Sequence, residues 1–135
     1  MYLTKIRTVR IDSSKFIGKN TYSYNLIKTN LQLEAIEYLT ETPIAYTKGL
    51  IVSEDSLYHY FSNLNFSNNF IFFEGMIRIT RNSFNSSAYF YDEGSTYSFN
   101  AAIKGGVYYF SNIYSQFEDC EFSDNIATYG GVMYL

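Results

Sequence analysis

The chain is short of the residues from which most chemical sites are built. Among 135 residues there is one cysteine, one histidine and one proline, and there is no tryptophan. A lone Cys120 excludes an intrachain disulfide framework and a cysteine-rich zinc centre. A lone His59, flanked by Tyr58 and Tyr60 and with no serine or cysteine partner in motif, reads as a turn or packing residue. Charge of either sign is sparse: 10 basic and 13 acidic residues give a net charge of −3. No basic stripe exists to follow a phosphate backbone, so nucleic acid is not expected as a partner. No apolar run approaches the roughly 18 residues needed to cross a bilayer, so no membrane span is expected. The opening residues Met1 to Arg7 lack the apolar stretch of a signal peptide. There is also no long Ala/Leu/Glu/Lys block and no sustained 3.6-residue periodicity, which argues against helical repeats.

What the chain does have is aromatic. Fifteen tyrosines and twelve phenylalanines bring the hydrophobic fraction to 47%, too high for a disordered segment. Asn, Ser and Thr fill the intervals, a composition that favours short strands joined by tight polar turns.

These residues recur in a fixed pattern: aromatic, then apolar three on, aromatic two further, Asn three further, and glycine six after that. Phe61, Leu64, Phe66, Asn69 and Gly75 form one copy; Phe117, Cys120, Phe122, Asn125 and Gly131 form another with identical offsets. Ile6, Val9, Ile11 and Ser14 fit a first copy, with Asn20 at the glycine position. Leu33, Ile36, Tyr38 and Glu41 fit a second, with Gly49 delayed by the turn around Pro43. The copy between 66 and 117 is blurred. Tyr97, Asn100 and Gly105-Gly106-Val107 fit its second half; Phe84, Ser87, Tyr89 and Asp92 fit its first half out of register. An insertion of roughly six to eight residues is expected there, with 92–95 as the loop.

The anchors Val9, Ile36, Leu64 and Cys120 are 27, 28 and 56 residues apart. A period in this range denotes a solenoid. Leucine-rich repeats lack support in the consensus, and short strands with turn residues at each corner point to a parallel β-helix. The expected fold is all-β: a right-handed single-stranded parallel β-helix of about five coils, rising roughly 24 Å at about 4.8 Å per coil. Residues 1–135 would form one segment of it, as part of a longer protein.

In such a stack, equivalent positions form columns. The expected interior columns are Ile6/Leu33/Phe61/Phe117, Val9/Ile36/Leu64/Cys120 and Ile11/Tyr38/Phe66/Tyr97/Phe122. Asn69, Asn100 and Asn125 would occupy a corner in left-handed conformation, their amides bridging coils. Six of the eight glycines fall in a second corner. After it, Ile51, Ile77, Tyr108 and Met133 would point inward, and Arg78, Tyr109 and Tyr134 outward. Arg10 and Glu37 share an outward column and would form an ion pair worth at most about 1 kcal/mol.

Phe66-Ser-Asn-Asn69, Phe122-Ser-Asp-Asn125 and the Gly-Gly-Val of 105–107 and 130–132 resemble the Phe-x-x-Asn and Gly-Gly-Ala-Ile repeats of chlamydial polymorphic outer-membrane proteins. Similar pectin-lyase-like coils occur in large protist surface proteins. The resemblance covers residues 60–135 well and 1–59 loosely. It implies a right-handed β-helix and a surface or adhesive role, with cell surface or extracellular space as the favoured location.

Enzymes on such coils need carboxylates clustered on one outer face. Glu118, Asp119, Glu121 and Asp124 are the best candidates for a Ca²⁺ or acid/base site, yet neighbouring coils add no acid at their columns, and a solvated face is the favoured account. Cys120, in an interior column, is expected to be an inert buried thiol. Asn65-Phe-Ser67 and Asn85-Ser-Ser87 match the glycosylation pattern, which an Asn/Ser-rich chain also produces by chance. Tyr109 and Tyr134 could stack carbohydrate, but ordinary sheet-surface tyrosines are favoured. No catalytic, cofactor-binding or metal-binding residue is therefore assigned, no cofactor is expected, and the chain is not expected to be an enzyme. The expected role is a structural or adhesive module, a rigid scaffold or spacer. Its partners would be further coils of the same chain or neighbouring subunits. A carbohydrate-binding or polysaccharide-cleaving β-helix, with glycan partners, is the alternative.

Overall fold

The computed structural model describes residues 1–17, 49–83 and 86–135. Among them every regular element is a strand. The chain lays these down in successive levels. The first contains β1 (Tyr2–Thr4), β2 (Thr8–Asp12) and β3 (Lys15–Ile17). The second contains β4 (Ile51–Glu54), β5 (Tyr58–Ser62), β6 (Asn65–Ser67) and β7 (Phe70–Glu74). The third contains β8 (Ile77–Thr80), β9 (Ala88–Glu93), β10 (Thr96–Ser98) and β11 (Ala101–Lys104). The fourth contains β12 (Tyr108–Ser111), β13 (Ile113–Glu118), β14 (Glu121–Ser123) and β15 (Ile126–Tyr129), and β16 (Met133–Tyr134) follows.

Each strand pairs in parallel with its equivalent one level away, producing four sheets ordered β1-β4-β8-β12-β16, β2-β5-β9-β13, β3-β6-β10-β14 and β7-β11-β15. The fold is thus all-β and parallel, with strands visiting the sheets in a constant order, an arrangement compatible with a β-helix.

The corners explain how strands this short can succeed one another. Residues with positive φ occur at equivalent places: Lys5 and Asp55; Ser13, Asn63, Gly94 and Asp119; Asn68, Phe99 and Asp124; Gly105 and Gly130. Asn, Asp and Gly dominate because they enter the left-handed region most cheaply. At Gly105 a Cβ would lie 1.9 Å from the Tyr108 carbonyl oxygen, so the corner admits nothing larger.

Two columns match the sequence expectation. Ile51, Ile77, Tyr108 and Met133 are in register, the first three fully buried. Phe66, Tyr97 and Phe122 are in register and their rings stack at 5.4 and 5.1 Å. The amides of Asn69, Asn100 and Asn125 do bridge levels: Asn69 Nδ2 donates to Asn100 Oδ1 at 3.0 Å, and Asn100 Nδ2 to Asn125 Oδ1 at 2.9 Å. The left-handed residue, however, is the one before each: Asn68, Phe99 and Asp124. The asparagines serve as inward-turned hydrogen-bonding links, each also donating to a carbonyl of the strand below.

Three expectations are corrected. The first-level register is displaced: Ile11 lies beside Phe61 and Val9 beside His59, while Phe16 stacks on Phe66 at 4.3 Å. Ile6, expected inside, is 36% exposed. Val9-x-Ile11 satisfies the alternation of the motif, but the strand carrying its second half is Lys15–Ile17. β2 bonds directly to β5. The coil assigned to Leu33, Ile36 and Tyr38 lies outside the described residues, with Glu37, Glu41, Pro43 and Asn20, as does the Arg10–Glu37 pair. Finally, the insertion is displaced. Asn69 and Asn100 are 31 residues apart and Asn100 and Asn125 are 25 apart. The excess falls between β8 and β9, where residues 81–87 replace the single Asn112 of the next level. The stretch 92–95 is instead the end of β9 and the corner after it, with Asp92 and Ser95 buried and Glu93 and Gly94 exposed.

Candidate functional site

The outer face of β2-β5-β9-β13 is the most distinctive surface. Alternation sends residues two apart to the same side, roughly 6.6–6.8 Å from each other. Tyr58, Tyr89 and Tyr114 form one outward column and Tyr60, Tyr91 and Gln116 the next. The rings of Tyr58 and Tyr89 lie 5.8 Å apart, and those of Tyr89 and Tyr114 5.6 Å. Tyr58, Tyr60, Tyr89 and Tyr114 are exposed. The two columns wall a groove of about 750 Å³ running across three strands. At its rim the Tyr91 hydroxyl donates to Glu118 at 2.7 Å, and this bond, with the nearby acids, pushes the phenol up to about 12.

Behind this face lie two buried polar groupings. Ser53 and His59 Nε2 are 2.8 Å apart, and His59 Nδ1 is 3.1 Å from the Tyr89 carbonyl oxygen. That carbonyl can only accept, so Nδ1 carries the proton and Nε2 accepts from the Ser53 hydroxyl. The arrangement resembles a nucleophile–base pair, but both residues are buried and no substrate atom could reach Ser53. It is a packing device, and burial lowers the His59 pKa below its ordinary value.

The second grouping surrounds Asp92, which is fully buried. Its Oδ1 accepts from Ser95 at 2.5 Å, and its Oδ2 accepts from Tyr97 at 2.5 Å and Tyr108 at 2.7 Å. Ser95 Oγ also accepts the Leu64 N–H at 3.0 Å. Burial first, and the neighbouring Asp92 charge among the other causes, push both phenols well above their ordinary range, so both hydroxyls remain donors.

The acids singled out in the sequence are not brought together. Glu118 serves Tyr91, Asp119 and Asp124 occupy two different corners, and Glu121 is exposed on β14. Among the described residues no three His, Cys, Asp or Glu side chains converge on a point that could hold a metal ion. Cys120, expected in the interior, is only partly buried at the corner after β13, 3.5 Å from the Asp92 carbonyl oxygen; burial raises its thiol pKa. Asn65 is half-buried within β6, and Asn85 lies outside the described residues.

Tyr109 and Tyr134 are outward and stacked at 5.4 Å, but their faces meet cations. The Arg78 guanidinium lies 5.7 Å from the first ring and the Lys104 ammonium 5.3 Å from the second. Arg78 is itself held by Glu54 at 2.9 Å and Glu74 at 2.5 Å. This strip is therefore engaged internally, unlike the groove one sheet away.

Comparison with family models, curated proteins and solved structures found no match. The likeness to the chlamydial repeats consequently rests on the Phe-x-x-Asn and Gly-Gly-Val residues themselves. The tyrosine groove was missed in the sequence although a signal was there. Tyr58-His-Tyr60 and Tyr89-Phe-Tyr91 both repeat tyrosine at period two, which marks the outer face of a strand once the inner residue is known.

Proposed function

We propose that this chain is a segment of a right-handed parallel β-helix whose role is structural: a rigid scaffold or spacer that stacks on further β coils, of the same chain or of a neighbouring subunit, within a surface assembly. The constant order of sheets and the strong preference of parallel crossovers for the right hand support the helical winding. The observation that carries the role is the end formed by β13, β14, β15 and β16. Each stands last in its sheet, while Ile113, Phe117, Phe122 and Met133 are only partly buried. Unpaired edges in all four sheets over apolar columns form a template for another coil. The Asn ladder supports the same role. Asn69 and Asn100 each direct a backbone N–H and a side-chain N–H at the next asparagine's oxygen, and Asn125 offers the same two donors to a further level.

Sedimentation of the 135-residue chain tests this. Ile126 N–H bonds back to Asn100 O, so the N–H of Ala127 faces the open side. Concentration-dependent association is expected, and Ala127→Pro should abolish it while preserving the β-sheet circular dichroism. A wild-type chain that is monomeric and unfolds cooperatively would overturn the proposal, as would association unchanged in the variant.

A further inference from the structure

We infer that the partner received by the open end of β13, β14 and β16 is the first level of a second copy of this chain, so that copies stack head to tail in one continuous register. This rests on the stacking role proposed above and names its partner. The charges of the two ends select it. The first level carries Lys5, Arg7, Arg10 and Lys15 against the single acid Asp12. From β12 onward the chain carries Glu118, Asp119, Glu121 and Asp124 and no lysine or arginine. A basic end therefore meets an acidic end, whereas a joint between two like ends would gather charges of one sign. The columns agree. Lys15, Asn65, Thr96 and Glu121 share one outward column, with the ammonium at one end and the carboxylate at the other. One column opposes: Asp12, Ser62, Glu93 and Glu118 are in register, so Asp12 of the second copy would meet Glu118, with its Arg10 on the diagonal.

The interior and the backbone continue across the same joint. Phe16, Phe66, Tyr97 and Phe122 form one stacked column with centroid spacings of 4.3, 5.4 and 5.1 Å, and its two end members are only partly buried. Phe122 would stack on the second copy's Phe16, and Phe117 would cover its Ile11. Parallel pairing sends successive N–H groups to opposite sides. Tyr58 N–H bonds to Arg7 O and Ser13 N–H to Ser62 O, so the N–H of Thr8 faces away from β5. At the other end, Ala88 N–H bonds to Asn112 O and Gly94 N–H to Glu118 O, so the N–H of Ser115 faces away from β9. Thr8, Tyr58, Tyr89 and Tyr114 are in register. One further step lets the second copy's Thr8 donate to Ile113 O, as Tyr89 N–H donates to Leu57 O, and accept from Ser115 N–H. Such a joint is heterologous and leaves both outer ends free, so it builds an open-ended rod.

The test blocks one end at a time in the full chain. Thr8→Pro removes the outward donor of β2 and Ser115→Pro that of β13, both on edge strands where proline is tolerated. In sedimentation the wild type is expected to form a series of species that lengthens with concentration. Each proline variant alone should stay monomeric, and their equimolar mixture should form a one-to-one dimer that grows no further. A second pair of variants keeps the test decisive if a proline prevents folding. Lys15→Glu and Glu121→Lys should each weaken association about two- to tenfold, and the two combined in one chain should restore it. Association of folded Thr8→Pro on its own, no dimer in the mixture of folded variants, or no loss in either charge variant would overturn the head-to-tail joint and leave stacking on the open end standing. A monomeric wild type would instead remove the stacking role itself, and this joint with it.

Discussion

β5 and β9 are neighbours in one sheet and solve the same interior problem in opposite order. Each buries one aromatic and one polar side chain two residues apart. In β5 the polar residue comes first, His59 then Phe61; in β9 it comes second, Phe90 then Asp92. In register, His59 therefore faces Phe90 and Phe61 faces Asp92. The two aromatics meet diagonally, ring centroids 5.0 Å apart and edge-to-face, while each polar group turns to hydroxyl partners, His59 to Ser53 on its own level and Asp92 to Ser95 and Tyr97 on its own level and Tyr108 on the next. The comparison teaches that a column in this fold need not be chemically uniform. Backbone register is fixed by hydrogen bonds along the strands, and an interior polar group is tolerated wherever nearby hydroxyls saturate it.

The largest expected effect comes from breaking the β9 arrangement. Asp92→Ala would leave the hydroxyls of Ser95, Tyr97 and Tyr108 without their acceptor and open a cavity between Phe61 and Phe117. Unsatisfied buried donors cost about 1–3 kcal/mol each, partly offset by removing the buried carboxyl. A net loss of about 3–5 kcal/mol is expected, read as a lower urea midpoint at unchanged slope. A loss under 1 kcal/mol would mean that water replaces the carboxyl and that the column is not specified by it.

Asp92 also marks where sequence reasoning stopped. Phe66, Tyr97, Phe122 and the three asparagines were legible because they recur with the same residue type in the same place. Asp92-Glu-Gly-Ser95 looked like a loop because polarity is ordinarily a surface signal. Nothing local reveals that Tyr97 and Tyr108, five and sixteen residues on, turn their hydroxyls inward to meet it. The first-level error has the same physical root. A period-two pattern fixes which face a residue occupies but not which strand it belongs to, so Ile11 could stand in for Phe16. The groove escaped notice because outward columns carry no packing constraint and become visible only when the inward ones are known.

A smaller effect isolates a single donor. Tyr108→Phe removes one hydroxyl from Asp92 and keeps the ring, which packs against Phe90, Tyr97 and Phe117. A hydrogen bond to an ionisable group is worth about 1.5–3 kcal/mol, so a loss of that size is expected in the same urea assay. Because both mutations act on one carboxyl, Asp92→Ala with Tyr108→Phe should cost less than the two separate losses added together. Strict additivity would show that the hydroxyl and the carboxyl do not act as a unit.

The smallest effect distinguishes the polar group of β5 from that of β9 by pH. Burial holds the folded pKa of His59 below the ordinary 6.5, so the unfolded chain takes up the proton first as pH falls. The contribution of neutral His59 is thus complete above about pH 6.5 and is lost progressively below it, down to the folded value. The hydrogen-bonded Asp12 and Asp55, whose values are lowered from 3.8, act in the same direction but only below about pH 4. Thermal unfolding followed from pH 8 to 5 should therefore show a falling melting temperature that belongs to His59 alone among these groups. His59→Gln retains a donor and an acceptor for the Tyr89 carbonyl and Ser53 and should flatten the profile between pH 6.5 and 5 while leaving the acid limb below pH 4 intact. An unchanged slope in the variant would place the titrating group elsewhere, and the mirror-image relation of β5 and β9 would then be one of packing only.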